Sequence, residues 1–136
     1  MKLYIILLIL AHFIGDWLFQ TRYMALNKSK KFGVLLFHVI LVSNFIGCVV
    51  LWHHNWHSDF AGPLLINGIA HGIIDWNIWK IYAKIRGDNA FELDYHSYVN
   101  GEPAINKESV KHDYYFYSTI ALDQMLHLTL IILLFT

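Results

Sequence analysis

Residues 3–20, 33–52, 63–83 and 114–135 form four apolar stretches. Each is close to the roughly 20 residues a helix needs to cross about 30 Å of hydrocarbon at about 1.5 Å per residue. Inside hydrocarbon every backbone N–H and C=O must be satisfied within its own segment, so stretches of this length and character predict helices. The expected fold is therefore all-α: an integral membrane bundle of four transmembrane helices, forming one membrane domain over residues 1–136. The composition agrees, with 57% hydrophobic and only 15% charged residues against about 25% charged in ordinary soluble domains. Ten basic and ten acidic side chains cancel, which leaves no basic excess for nucleic acid and makes membrane lipids the expected partners. A homo-oligomer is compatible with the same pattern.

The connectors set the expected orientation. "TRYMALNKSKKF" is short and basic, "HHNWHSDFAG" has no Lys or Arg, and residues 84–113 form a polar insertion between the third and fourth stretches. Arg22, Lys28, Lys30, Lys31, Lys80, Lys84, Arg86, Lys107 and Lys111 all fall on one side of an alternating four-span chain. The positive-inside rule makes that side the cytoplasm. The protein is then expected in a bacterial inner membrane, multi-pass, with both termini outside the cytoplasm and the insertion inside it. Only Lys2 precedes the first stretch, and no small-residue cleavage pattern follows it; the segment reads as a retained span. Asn100-Gly101 is a hairpin-turn signal within the insertion, with a plain loop the alternative. Tyr4, Trp17, Trp52, Trp56 and Tyr114 are candidate interfacial anchors, and Cys48 reads as a small apolar filler.

Polar groups inside these stretches are costly, which makes their pattern informative. The first stretch has His12 and Asp16, the third has His71 and Asp75 in "HGIID", and the fourth has Asp123 and His127 in "DQMLH". Each pair is spaced four apart, placing both groups on one helix face a turn apart. The order inverts in the fourth stretch, which runs antiparallel to the other two. Folding the chain therefore brings the three aspartates to one depth and the three histidines to another, with His38 of the second stretch near the aspartate level. A central aspartate costs roughly 3 kcal/mol on the insertion scale, and no Lys or Arg is expected deep in a span to offset it. Three readings follow: interhelical hydrogen bonding, a proton or cation path, or binding of one or two metal ions. Carboxylate and imidazole suit Zn, with Mn or Fe as alternatives. Gln20 continues the His12–Asp16 face by a turn, and Gln124 adjoins Asp123; either can orient a ligand or simply bond between helices. Gly15 and Gly72, beside the pairs, would let backbones approach closely. His53, His54, His57 and Asp59 cluster in the outer connector, where a solvated loop is the plainer reading and a second metal site the sharper one.

"HFIGDWLFQ", "MALNKSKK", His38, "HGIID" and "DQMLH" together resemble a family of small bacterial and phage membrane proteins, domain-of-unknown-function family 3307. The resemblance covers the full chain and implies a small multi-span membrane protein. A looser resemblance, carried by His12, Asp16, His71, Asp75, Asp123 and His127, is to membrane-bound metal-dependent hydrolases and zinc phospholipases. The leading expectation is thus a metal-dependent hydrolase acting on a lipid or lipid-phosphate. His12, His38, His71 and His127 would be ligands, and Asp16, Asp75 and Asp123 ligands or general bases. Arg22, Lys30 and Lys31 would draw an anionic headgroup to the inner mouth. The alternatives are a proton or divalent-cation transport protein and a non-catalytic membrane scaffold. The sequence has no nucleotide-binding loop, nucleophile elbow, haem or flavin signature.

Overall fold

The computed structural model describes residues 2–53, 58–86 and 107–135, and among these all regular structure is helical. Helix α1 spans Lys2–Phe13 and runs on through a π-helical turn, Ile14–Leu18. A short helix α2 spans Arg22–Asn27, α3 spans Phe32–His53, a 3₁₀ turn covers Ser58–Phe60, α4 spans Ala61–Arg86 and α5 spans Lys107–Phe135. The four long elements close on themselves: α1 packs on α3, α3 on α4, α4 on α5, and α5 back on α1. Two helical segments, Phe32–His53 and Tyr114–Phe135, are long and apolar enough to cross a membrane. The apolar run Leu3–Leu18 is shorter, and α4 is longer but carries His71, Asp75, Lys80, Lys84 and Arg86.

Apolar side chains cover much of the outside. Leu18, Leu133 and Phe32 are 79%, 75% and 68% exposed, with Leu65, Ile73 and Ile85 similarly placed. The interior is layered along its length. At one end Tyr4 and Leu8 of α1, Val42, Ile46 and Val50 of α3, and Ile131 and Phe135 of α5 form an apolar plug. At the other end Ile78, Trp79, Tyr82 and Phe116 form a second. A polar layer adjoins both: His12, Asp16, His38, His71, Asp75, Asp123 and His127 are all buried, and in α5 Asp123 and His127 fall between Phe116 of one cluster and Ile131 of the other.

Close approach of backbones makes this layer compact. A Cβ on Gly15 would lie 3.0 Å from Val42 Cα and 3.2 Å from the Phe45 ring, so α1 rests directly on α3 there. Gly68 and Gly72 do the same for α4 on α3, with a Cβ meeting Ser43 Oγ at 3.1 Å and Val39 Cγ2 at 3.3 Å respectively.

Several expectations change. The first helix ends at Leu18, not residue 20, because the wide π turn closes it with Phe19 N–H donating to Ile14 O at 3.2 Å. Tyr4 is not an interfacial anchor: it is buried and stacks on His53 with ring centroids 4.0 Å apart. Trp17, Trp52 and Tyr114 do face outward. Cys48 is exposed and fills no core space. The polar insertion is helical at both margins, since α4 continues to Arg86 and α5 begins at Lys107. The Asn100-Gly101 turn, His54, Trp56 and His57 lie outside the described residues.

Candidate metal centre

The site is assembled by four helical elements and one loop. The π turn of the first helix presents Asp16, α3 presents His38, α4 presents His71 and Asp75, and α5 presents Asp123 and His127. His12 comes from the last turn of α1. A π turn adds a residue to the local winding, and such turns recur at functional sites. Here it holds Asp16 with its carboxylate 3.9 Å from His12 Nε2, beyond hydrogen-bond reach.

The groups converge at one ring nitrogen. His38 Nε2 lies 3.0 Å from Asp16 Oδ1, 3.1 Å from Asp75 Oδ2, 3.3 Å from His71 Nε2 and 3.4 Å from a lysine ammonium, that of Lys28. His71 Nε2 is in turn 3.3 Å from Asp75 Oδ2. A neutral imidazole offers only one N–H, so these contacts cannot all be ordinary hydrogen bonds. On the histidine side the rings crowd together, with His71 and His127 centroids 4.1 Å apart and His12 and His127 centroids 5.2 Å apart. His12 and His127 are 0% and 1% exposed, and neither has a hydrogen-bond partner for either ring nitrogen. Buried polar atoms are seldom left in that condition.

Lys28 was not expected here. Grouped by sequence with the cytoplasmic loop charges, it instead turns into the bundle, with its side chain only 4% exposed. Its Nζ lies 2.9 Å from Asp75 Oδ1 and 3.6 Å from Asp16 Oδ1. The partner for the aspartates thus comes from outside the four apolar stretches, at the end of α2. Burial disfavours the ammonium, but Asp75, Asp16 and Asp123 outweigh that and hold its pKa above the usual lysine range. The local cause is α2. Thr21 caps it by accepting a hydrogen bond from Met24 N–H at 3.2 Å. Met24 and Ala25 turn inward, and Lys28, four residues past Met24, follows on the same face.

Gln124 links two of the carboxylates: its Nε2 donates to Asp16 Oδ2 at 2.7 Å and lies 3.5 Å from Asp123 Oδ2. Gln20 does not continue the helical face, since the chain has left the helix there, but it still lines a cavity of about 230 Å³ beside the cluster. Asp16, Asp123, Gln124, Lys28 and Trp79 share that wall. Arg22, Lys30 and Lys31 are exposed and lie outside the cluster; Lys31 Nζ donates to Tyr23 OH at 3.2 Å. His53 is occupied with Tyr4, and Asp59 is exposed.

Three overlapping groups bring ligand atoms within 4.8 Å of one another: Asp16, His38, His71 and Asp75; His12, Asp16 and His127; and Asp75, Asp123 and His127. The donor types, imidazole nitrogen and carboxylate oxygen, are those that hold Zn, Mn or Fe. These buried groups can hold a metal ion.

Fold and site together define an all-helical protein that is apolar outside and ionisable at its centre, with a His/Asp cluster able to bind metal. The particular family follows from sequence comparison. The chain belongs to the protein family of unknown function DUF3307, whose model matches residues 4–136. No curated protein and no solved structure matches it.

Proposed function

We propose that this chain is an integral-membrane, metal-dependent hydrolase of the bacterial inner membrane, acting on a lipid or lipid-phosphate. The observation that carries the reading is the charge balance of the buried cluster. When ionised, Asp16, Asp75 and Asp123 face a single ammonium among the described residues, Lys28, which with His38 neutral leaves two negative charges over. Buried charge demands a partner, and a divalent cation supplies it.

The apolar exterior supports the membrane placement. Side chains such as Leu18 and Leu133 would be costly to leave in water and cost nothing in lipid. On this reading α1 with its π turn and α4 also cross the bilayer, making four spans. Intramembrane ionisable groups then face the bundle interior, where such groups belong.

His12, His38, His71 and His127 would hold metal with Asp16 and Asp75. Both aspartates take part in two of the three ligand groups, so the cluster would supply ligands to one ion or two. An ion held there would supply Lewis acidity, for polarising a phosphoryl oxygen and acidifying a water. Asp123 borders the cavity and would take the proton from an attacking water as its oxygen bonds to phosphorus, then return it to the lipid oxygen that leaves as the ester bond breaks. Gln124 fixes Asp123 against Asp16. Arg22, Lys30 and Lys31, exposed near the same end, would hold an anionic headgroup at the bilayer surface.

The conducting alternative is weakened by the apolar plug on one side of the cluster, built from Tyr4, Leu8, Ile46 and Ile131 among others; the other side opens on the cavity beside Trp79 and Phe116. The test uses purified protein in detergent–lipid micelles with phosphatidic acid and an isoprenyl phosphate as substrates. Release of inorganic phosphate or headgroup is expected, lost on chelation and on Asp123→Asn and restored by Zn²⁺ or Mn²⁺ in the wild type. Liposome ion flux with no lipid turnover would contradict the hydrolase and support transport.

A further inference from the structure

We propose that Lys28 is a tethered cation holding the place of a metal ion, so that the centre loads by exchange, the ammonium leaving as a divalent cation enters. This rests on the reading that Asp16, His38, His71 and Asp75 bind metal. The ammonium lies among the atoms of that ligand group: 2.9 Å from Asp75 Oδ1, 3.6 Å from Asp16 Oδ1 and 3.4 Å from His38 Nε2. A metal ion drawing on the same two carboxylates would meet a like charge at contact range, in surroundings that screen it poorly. The two cations therefore compete for the same oxygens, Asp75 Oδ1 and Asp16 Oδ1.

The fold gives the side chain somewhere to go. Lys28 follows directly on α2, so its four-carbon stem can turn about its own bonds without displacing a helix. It already borders the 230 Å³ cavity, whose wall also carries Gln20 and Gln124. Moved into that space, the ammonium would meet a phosphoryl oxygen of a substrate entering beside the metal. One residue thus stabilises the ligand carboxylates before loading and binds the anion afterwards. Lys30 and Lys31, two and three residues on, are exposed and have no such path.

The exchange is tested by titrating Zn²⁺ into chelator-treated wild type and Lys28→Met in the same detergent. The variant is expected to bind zinc at least about tenfold tighter, since the competing charge is gone; equal or weaker binding overturns the proposal. A second measurement needs no variant. Lys28 and Lys30 of the wild type are acetylated with a small amine-reactive reagent and mapped by mass spectrometry, with and without Zn²⁺. Zinc should raise modification of Lys28 relative to Lys30; an unchanged or lower ratio overturns the exchange. Zinc binding by the wild type without either effect sinks the exchange alone, whereas failure of both proteins to bind zinc sinks the metal centre with it.

Discussion

Asp75→Ala is expected to destabilise the protein by about 3–5 kcal/mol, the cost of removing one member of a buried charge pair, and to abolish metal binding. Asp75 is 0% exposed and meets Lys28 Nζ at 2.9 Å, His38 Nε2 at 3.1 Å and His71 Nε2 at 3.3 Å. Its loss leaves the ammonium with one carboxylate at 3.6 Å and removes a ligand from two of the three groups. Asp75→Asn keeps the shape and some of the hydrogen bonding, so it should fold better than the alanine variant while losing metal just as fully. Denaturation in mixed micelles reads the first effect and metal analysis the second. An alanine variant as stable as wild type would show that the Asp75 contacts contribute nothing.

Gly15→Ala should also be damaging, by a smaller amount and through geometry alone. Its added carbon would lie 3.0 Å from Val42 Cα, a backbone atom that cannot turn aside. The first helix must move off α3, and overpacking of this kind typically costs about 1–3 kcal/mol, occasionally more. Asp16 is the next residue, in the same π turn, so the displacement also carries a ligand away from His38. Gly72→Ala is the matched control: its added carbon meets only a Val39 methyl, at 3.3 Å, and a side chain can yield. The account expects a larger loss of stability and metal affinity from the first than from the second; equal effects would contradict the close-contact explanation.

Much of this arrangement is legible in the sequence because period and orientation are simple. His12/Asp16, His71/Asp75 and Asp123/His127 share a spacing of four, and only the antiparallel helix inverts the order. That inversion is enough to bring them together without knowing any contact. What escaped depends on departures from regular helix. The π turn at Ile14–Leu18 has no strong sequence signal, so Gln20 looked like one more position on a continuing face. Lys28 escaped for a different reason: its neighbours Lys30 and Lys31 make a solvated basic loop the natural reading. Two cues pointed inward. Thr21, Met24, Ala25 and Lys28 have the spacing of a capped short helix with one buried face, and three aspartates in apolar surroundings require a cation from somewhere. Tyr4 illustrates the opposite error, since an aromatic near a helix end serves an interior stack as readily as an interface.

The most direct measurement is elemental analysis of the detergent-purified wild-type protein by mass spectrometry, before and after chelation and alongside His38→Ala. The account predicts a stoichiometric divalent transition metal in the wild type, removed by chelator, recovered on adding zinc, and missing from the variant. A wild-type protein that is folded yet neither carries nor takes up such an ion would contradict it.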